Sequence, residues 1–145
     1  MGDQLYFAYG SNMDEQQMRN RCPGAVRGGK ARLRDYEFRI NKRRKATIVP
    51  SPGQNTWGVL WNITASHERA LDCYEGVKSE TYRKKTVEVF LTSGTKERAL
   101  TYIASDCSVG SPEPDYMERI LRGAKEADLP PDYIKVLHEW KKLAS

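Results

Sequence analysis

The first hydrophobic segment of the chain ends in a small polar tripeptide. Residues 5–9 read Leu-Tyr-Phe-Ala-Tyr, and Gly10, Ser11 and Asn12 follow. A continuous apolar run of this length is typical of a strand that is buried on both faces. Asn12 and Glu15, three residues apart, predict a helix N-terminus with a capping box directly after the strand. Unpaired N–H groups at a helix N-terminus suit a carboxylate or an oxyanion, so this loop is a candidate anion-binding site.

Most of the remaining pattern alternates between apolar and polar positions, which predicts half-buried strands. These strands are expected over residues 31–40, 46–49, 57–63, 82–92 and 97–104. The phase of the first of them changes near Asp35, where a bulge or short turn is expected. The Pro-Ser-Pro-Gly segment at residues 50–53 is predicted to end the second strand.

Helical patterns cover residues 66–75, 115–127 and 132–144, and Gly76 is expected to end the first of these helices. Strands and helices do not alternate regularly, as they would in a parallel α/β protein. The order therefore predicts an α+β fold with a small barrel or strongly curled, mostly antiparallel sheet. Trp57 and Trp61 on one face of a strand favour a sheet with a real interior.

Composition narrows the class of protein. The chain has 145 residues, of which 39% are hydrophobic and 30% charged, and this predicts one globular domain over residues 1–145. It contains no long apolar run, so no membrane partner is expected. Three scattered cysteines argue against a disulfide framework and predict a cytoplasmic location. With two histidines and no Cys-x-x-Cys pair, no metal site is expected.

The net charge of +5 comes largely from residues 30–45. One interpretation is a patch that binds nucleic acid or an acidic partner. The basic positions alternate with Leu33, Phe38 and Ile40, however, as in a half-buried strand. We therefore favour the outer face of a strand followed by a solvated hairpin tip, and expect no nucleic-acid partner.

Glu75 is a candidate proton-transfer group. It follows the helix predicted over residues 66–75 and precedes Gly76, and a helix C-terminus carries partial negative charge. If the side chain also points into an apolar pocket, both effects raise its pKa toward neutrality, which suits a group that accepts and returns protons. On this stretch alone, a solvated glutamate at a helix end is the commoner case.

Two nucleophile hypotheses were weighed. Cys73 would need a base, and His67 lies six residues earlier, on roughly the opposite side of the predicted helix. Cys73 is therefore interpreted as a small buried residue. Ser11 has no convincing Ser-His-Asp set, and a hydrogen bond from its hydroxyl to a substrate is the favoured role.

Several blocks, in order along nearly the whole chain, resemble the γ-glutamylcyclotransferase family. They are YFAYGSN at residues 6–12, SPG and WGVLW within 51–61, LDCYEGVKS at 71–79, PEPDY at 112–116 and GAKEADLPPDY at 123–133. The combination of YGSN with the glutamate of EGV is the specific part. The late blocks point to the branch that acts on γ-glutamyl-amino acids.

The resemblance implies a six-stranded, barrel-like α+β fold with inserted and C-terminal helices. It also implies an enzyme that needs no cofactor, in which the α-amine of a small γ-glutamyl substrate attacks its own γ-carbonyl. The products are 5-oxoproline and a free amino acid. Glu75 matches the catalytic glutamate of the family. The matching substrate-binding residues are Tyr6, Phe7, Ala8, Tyr9, Gly10, Ser11, Asn12 and Tyr116.

The chain departs from the family at Met13, usually leucine, and at Arg43, Arg44 and Lys45, where glycines are expected. The basic segment could alter the pocket rim and the leaving group that is preferred. Alternatives are therefore a cyclotransferase for a γ-glutamyl-amine or a carrier-bound γ-glutamyl group, and a binding protein without turnover. A homodimer is also left open.

Overall fold

The computed structural model describes residues 3–145 and contains one sheet with helices inserted and appended. The five strands are β1 (Gln4–Ala8), β2 (Val26–Ile40), β3 (Ala46–Ile63), β4 (Tyr82–Leu91) and β5 (Lys96–Ala104). The four α-helices are α1 (Glu15–Arg21), α2 (Ala65–Tyr74), α3 (Pro114–Glu126) and α4 (Pro131–Lys141). Within these residues, no helix combines the length and apolar character that crossing a bilayer requires.

The strands form a closed barrel in the order β1-β3-β2-β4-β5. All neighbours are antiparallel except β1 and β5, whose parallel pairing at Tyr6 and Leu100 closes the ring. The closed barrel encloses a core, and the end of β1 is buried on both of its faces. Phe7 is fully buried and Ala8 is 1% exposed, as the apolar run predicted.

The α+β barrel is confirmed, but the count of six strands is wrong. The predicted strands at residues 46–49 and 57–63 are one strand, β3, which continues through Pro50. Opposite it, Asp35 has a φ of 65°, and the register jumps there from Arg34–Asn55 to Tyr36–Pro50. The bulge expected near Asp35 is thus confirmed. At the bulge, β3 bends through the Pro-Gly segment instead of ending there, because Asp35 accepts a hydrogen bond from Gly53 N at 3.0 Å.

The start of α1 also differs from the prediction. Residues Ser11–Met13 form a short 3-10 turn, and Asp14 rather than Asn12 caps the helix by accepting a hydrogen bond from Gln17 N at 3.2 Å. The extra turn arises because Met13 N donates to Gly10 O, which moves the helix start along the chain by two residues. The predicted capping box of Asn12 and Glu15 is therefore wrong.

Helix α3 holds this turn against the barrel. Asp14 is 1% exposed and accepts two hydrogen bonds from the Arg122 guanidinium, at 2.8 and 2.9 Å. Gly123 packs directly on the turn, since a Cβ there would lie 2.6 Å from the carbonyl carbon of Met13. The position of the loop after β1 is thus set by a helix more than 100 residues away in sequence.

Candidate active site

A cavity of about 210 Å³ lies where the end of β1, the end of α2 and the turn between β2 and β3 meet the start of α3. Six tyrosines line it: Tyr6, Tyr9, Tyr74, Tyr82, Tyr102 and Tyr116. The other lining residues are Gly10, Ser11, Asn12, Arg21, Lys45, Ala46, Glu75, Gly76 and Thr81. The walls therefore combine apolar ring faces with one carboxylate and two cations.

Glu75 stands at the C-terminal end of α2, where Gly76 ends the helix with a φ of 66°. Its side chain is 17% exposed. Burial raises the pKa of this carboxyl group above its ordinary value, and the positive charges of Arg21 and Lys45 offset part of that rise. The cavity thus contains a carboxyl group whose proton affinity is increased, which is the property a proton shuttle needs.

Arg21, the last residue of α1, faces Glu75. The Arg21 Nη1 atom is 3.7 Å from Glu75 Oε2 and 3.2 Å from Asn12 Oδ1. Its guanidinium carbon lies 4.5 Å from the centroid of the Tyr74 ring. These contacts fix the guanidinium beside the carboxylate and leave the cation within the cavity wall.

The loop after β1 is held by hydrogen bonds that involve its own side chains and those of Trp61 and Gln17. Asn12 is 4% exposed and donates from Nδ2 to Tyr6 Oη at 2.9 Å, while its carbonyl oxygen accepts from Trp61 Nε1 at 3.0 Å. Gln17 donates to Ser11 Oγ at 2.7 Å. Among the described residues, Met13 N is the first amide that donates within the 3-10 turn, and the amides of Ser11 and Asn12 form no hydrogen bond within it.

Gly10 lets the loop approach its neighbours closely. A Cβ on Gly10 would lie 3.2 Å from Ala46 Cβ and 3.8 Å from Tyr116 Oη. A larger side chain would therefore push into the turn between β2 and β3 and into the cavity wall.

The tyrosine hydroxyls around the cavity are hydrogen-bonded donors and acceptors. Tyr82 donates to Ala46 O at 2.6 Å, Tyr116 accepts from Ala46 N at 2.9 Å, and Tyr102 donates to Asp72 Oδ1 at 2.7 Å. Burial raises the pKa of Tyr116 to about 12, and also raises the pKa values of Tyr6 and Tyr82. These rings stay neutral near pH 7, so they can wall the cavity without adding negative charge beside Glu75.

The structure brings most of the predicted site residues to one place. Those lining the cavity are Tyr6, Tyr9, Gly10, Ser11, Asn12, Glu75 and Tyr116. Phe7 and Ala8 do not line it, because both are packed in the barrel core on either side of β1. Their contact with substrate stays a prediction from the family resemblance.

The sequence did not identify Arg21, Tyr74, Thr81, Tyr82 or Tyr102 as lining residues, whereas Lys45 belongs to the basic segment that was expected to alter the pocket rim. Arg21 gave only the signal of a basic residue at a helix end. The tyrosines of β4 and β5 lay in ordinary alternating strands. Only closure of the barrel brings their rings to the end of β1.

The structure gives Cys73 no catalytic surroundings. Cys73 is exposed, so its interpretation as a buried residue is wrong. The ring nitrogens of His67 contact Thr64 N at 3.1 Å and Pro23 O at 2.6 Å rather than the thiol. In the part of the chain that is described, residues 3–145, no three His, Cys, Asp or Glu side chains are grouped to hold a metal ion.

Comparison with known proteins gives consistent matches. A model of the AIG2-like family matches residues 55–137. The gamma-glutamylcyclotransferase of Bos taurus is 38% identical over 144 residues, covering 92% of this chain and 77% of the bovine protein. That of Homo sapiens is 37% identical over 139 residues, covering 89% of this chain and 74% of the human protein.

Solved structures agree with these sequence matches. A structure described as a gamma-glutamyl cyclotransferase superposes with a TM-score of 0.88 at 35% identity, covering 94% of this chain and 86% of the other. An uncharacterized protein from Homo sapiens superposes with a TM-score of 0.90 at 34% identity, covering 95% and 88% of the two chains.

Proposed function

Because this chain belongs to the gamma-glutamylcyclotransferase family, as its sequence predicted, we propose that it converts a γ-glutamyl-amino acid to 5-oxoproline and a free amino acid. The observation that carries the proposal is the half-buried carboxyl group of Glu75, with its raised pKa, in a tyrosine-lined cavity beside Arg21. Glu75 is the proposed proton shuttle.

The reaction needs no nucleophile from the protein. Glu75 accepts a proton from the α-ammonium group, and the free amine attacks the γ-carbonyl carbon to close a five-membered ring. The bond between the γ-carbon and the leaving nitrogen then breaks as Glu75 returns its proton to that nitrogen. Overall the α-nitrogen loses two protons and the leaving nitrogen gains two, so one carboxyl group that cycles between its two forms balances the reaction.

The remaining lining residues fold the substrate into a reactive geometry. The amides of Ser11 and Asn12 are suited to hold either the α-carboxylate or the developing oxyanion. Tyr6, Tyr9 and Tyr116 enclose the glutamyl chain and exclude water from it. The amine and carbonyl are already joined in one molecule, so the enzyme contributes by restricting the substrate to conformers in which the two groups are in contact distance.

The test is an assay of 5-oxoproline and alanine released from γ-glutamyl-alanine. Glu75→Gln should keep the fold and lower kcat by about 10²–10⁴-fold, because an amide of the same shape cannot accept the proton. Glu126→Gln, an exposed change at the end of α3, is the matched control and should leave kcat unchanged. Undiminished turnover by the Glu75 variant would remove Glu75 from the mechanism.

A blocked substrate separates cyclisation from hydrolysis. N-acetyl-γ-glutamyl-alanine has no free α-amine and should give no product. Release of N-acetylglutamate from it would instead indicate attack by a protein nucleophile and would contradict the proposed reaction.

A role in glutathione metabolism follows from this reaction class and is part of the proposal. The cytoplasmic location, the homodimer, and the expectation that neither nucleic acid nor membrane is a partner stay predictions from the sequence.

A further inference from the structure

Lys45 is a cation at the cavity, and it has no acidic partner among the described residues. It lines the cavity as the last residue of the turn between β2 and β3, and its side chain is exposed. Its Nζ atom lies 4.8 Å from the centroid of the Tyr116 ring. Among residues 3–145, no carboxylate oxygen lies within 4.0 Å of this atom, whereas Arg21 is 3.7 Å from Glu75.

The backbone around Lys45 is fixed by hydrogen bonds, although the side chain is exposed. Lys45 N donates to Asn41 Oδ1 at 3.0 Å, and Asn41 N donates to Lys45 O at 2.9 Å. The next residue, Ala46, is held on both sides, since its N–H donates to Tyr116 and its carbonyl accepts from Tyr82. The ammonium group is therefore presented to the cavity from a rigid base.

The substrate class under "Proposed function" offers two carboxylates to the cations of the cavity. Each carboxylate is one carbon away from a nitrogen that exchanges a proton with Glu75, so distance from Glu75 does not by itself assign them to the two cations. The carboxylate of the departing amino acid is attached beyond the γ-carbonyl, and that half of the substrate must leave toward solvent. Lys45 is the exposed cation of the two, whereas Arg21 is half-buried and already paired with Glu75 at 3.7 Å, so Lys45 is the cation suited to the carboxylate of the half that departs.

We propose that Lys45 is a specificity-determining residue that binds the carboxylate of the leaving amino acid. The cavity then selects γ-glutamyl-amino acids over γ-glutamyl-amines, which lack that carboxylate. The inference rests on the proposed cyclotransferase function and assigns the leaving-group preference within it.

The test uses two substrates that differ only in that carboxylate, γ-glutamyl-alanine and γ-glutamyl-ethylamide. The measured quantity is the ratio of their kcat/KM values for 5-oxoproline formation. Lys45→Gln should lower this ratio by about 10-fold, the worth of one charge-assisted hydrogen bond at a partly solvated site. The ratio cancels any effect of the substitution on Glu75, because both substrates use the same proton shuttle.

Two further variants complete the experiment. Lys45→Arg keeps the positive charge and should keep most of the preference. Lys42→Gln removes the same charge from an exposed position of the same turn that does not line the cavity, and should leave the ratio at its wild-type value.

The failures are distinguishable. If wild-type protein forms 5-oxoproline from neither substrate, the proposed function fails, and the inference fails with it. If it forms product from both but Lys45→Gln leaves the ratio unchanged, or lowers both rates equally, only the inference is overturned. An equal loss of preference in Lys42→Gln would also overturn it, because the effect would then come from net charge.

Discussion

Gly123 of α3 connects the packing of the fold to the geometry of the cavity, and its replacement by alanine tests that connection. A Cβ at this position would lie 2.6 Å from the carbonyl carbon of Met13, 2.7 Å from Asp14 N and 2.7 Å from Met13 Cβ. Two of these three atoms are backbone, so no side-chain rotation can make room. Reaching an ordinary separation of about 3.5 Å requires the turn and the helix to move apart by about 1 Å.

The expected cost in stability is modest because two effects oppose each other. Overpacking costs about 1–3 kcal/mol, whereas alanine in a helix interior is favoured over glycine by about 0.5–1 kcal/mol. The free energy of unfolding should therefore fall by about 0.5–2 kcal/mol. Catalysis should suffer more, because the displaced turn carries Ser11 and Asn12, and a shift of about 1 Å in groups that position a substrate can cost about 10²-fold in rate.

Urea unfolding measures the first quantity, and kcat/KM for γ-glutamyl-alanine measures the second, with an expected loss of about 10- to 100-fold. The matched control is Gly29→Ala in β2, where a Cβ meets no atom within 4 Å. A Gly123→Ala protein with wild-type kcat/KM and undiminished stability would refute the view that α3 sets the position of the loop.

Two predictions concern the charges around this loop. Replacing Asp14 by asparagine should lower the free energy of unfolding by about 1–3 kcal/mol at pH 7, because a buried carboxylate with several hydrogen bonds is lost. Burial alone would raise the pKa of Asp14, but the hydrogen bonds from Arg122 and the Gln17 amide hold it below its ordinary value. The stabilisation from the Asp14 carboxylate is therefore complete above the unfolded pKa of about 3.9 and is lost as the pH falls further. In urea unfolding near pH 3, the variant and the wild type should differ less in free energy of unfolding than they do at pH 7. An equal difference at both pH values would contradict this. Arg21→Met removes a cation that lowers the pKa of Glu75, so the acid limb of the pH profile of kcat/KM should move to higher pH. Arg19→Met, an exposed change on the same helix, should leave the acid limb in place. An unmoved limb in the Arg21 variant would count against Glu75 as the base.

The parts of the fold that could be predicted from sequence are those fixed by local chemistry. The buried strand β1, the end of α2 before Gly76 and the hairpin of β4 and β5 all follow from periodicity and turn residues within a few positions. The bulge at Asp35 could also be predicted, because the alternation of apolar and polar positions changes phase there and a strand needs an extra residue to accommodate that change.

The parts that could not be predicted depend on contacts between distant segments. A proline normally argues against a central strand position, so ending a strand at Pro50 was a reasonable local inference. What overrides it is the bulge at Asp35 on the facing strand, which no pattern around Pro50 reports. The cap at Asp14 is similar, since its buried pairing with Arg122 favours it over Asn12 and comes from a distant helix.

The same division applies to the cavity. Glu75 and the loop after β1 were found because a glutamate before glycine and a polar tripeptide after a buried strand are local oddities. The resemblance to a family then assigned both features to one site, with the loop as a substrate-binding segment and Glu75 as the catalytic glutamate. Arg21 was missed because a basic residue in the last turn of a helix is already explained by the helix dipole.

The error over β3 and the position of Lys45 have one physical origin. If residues 46–49 and 57–63 formed two separate strands, as predicted, residues 41–45 would be a solvated tip with no connection to the far end of the sheet. In the structure, β3 pairs with β2 from Ala46 to Asn62 and with β1 from Val59 to Ile63, so its first residue is in fixed register with the strand that leads into the cavity loop. Tyr82 and Tyr116 then bind the backbone of Ala46, which they can do only because that register holds it beside the cavity. The charge of Lys45, which belongs to a segment interpreted as a solvated hairpin tip, is therefore held at the candidate active site because β3 is one continuous strand.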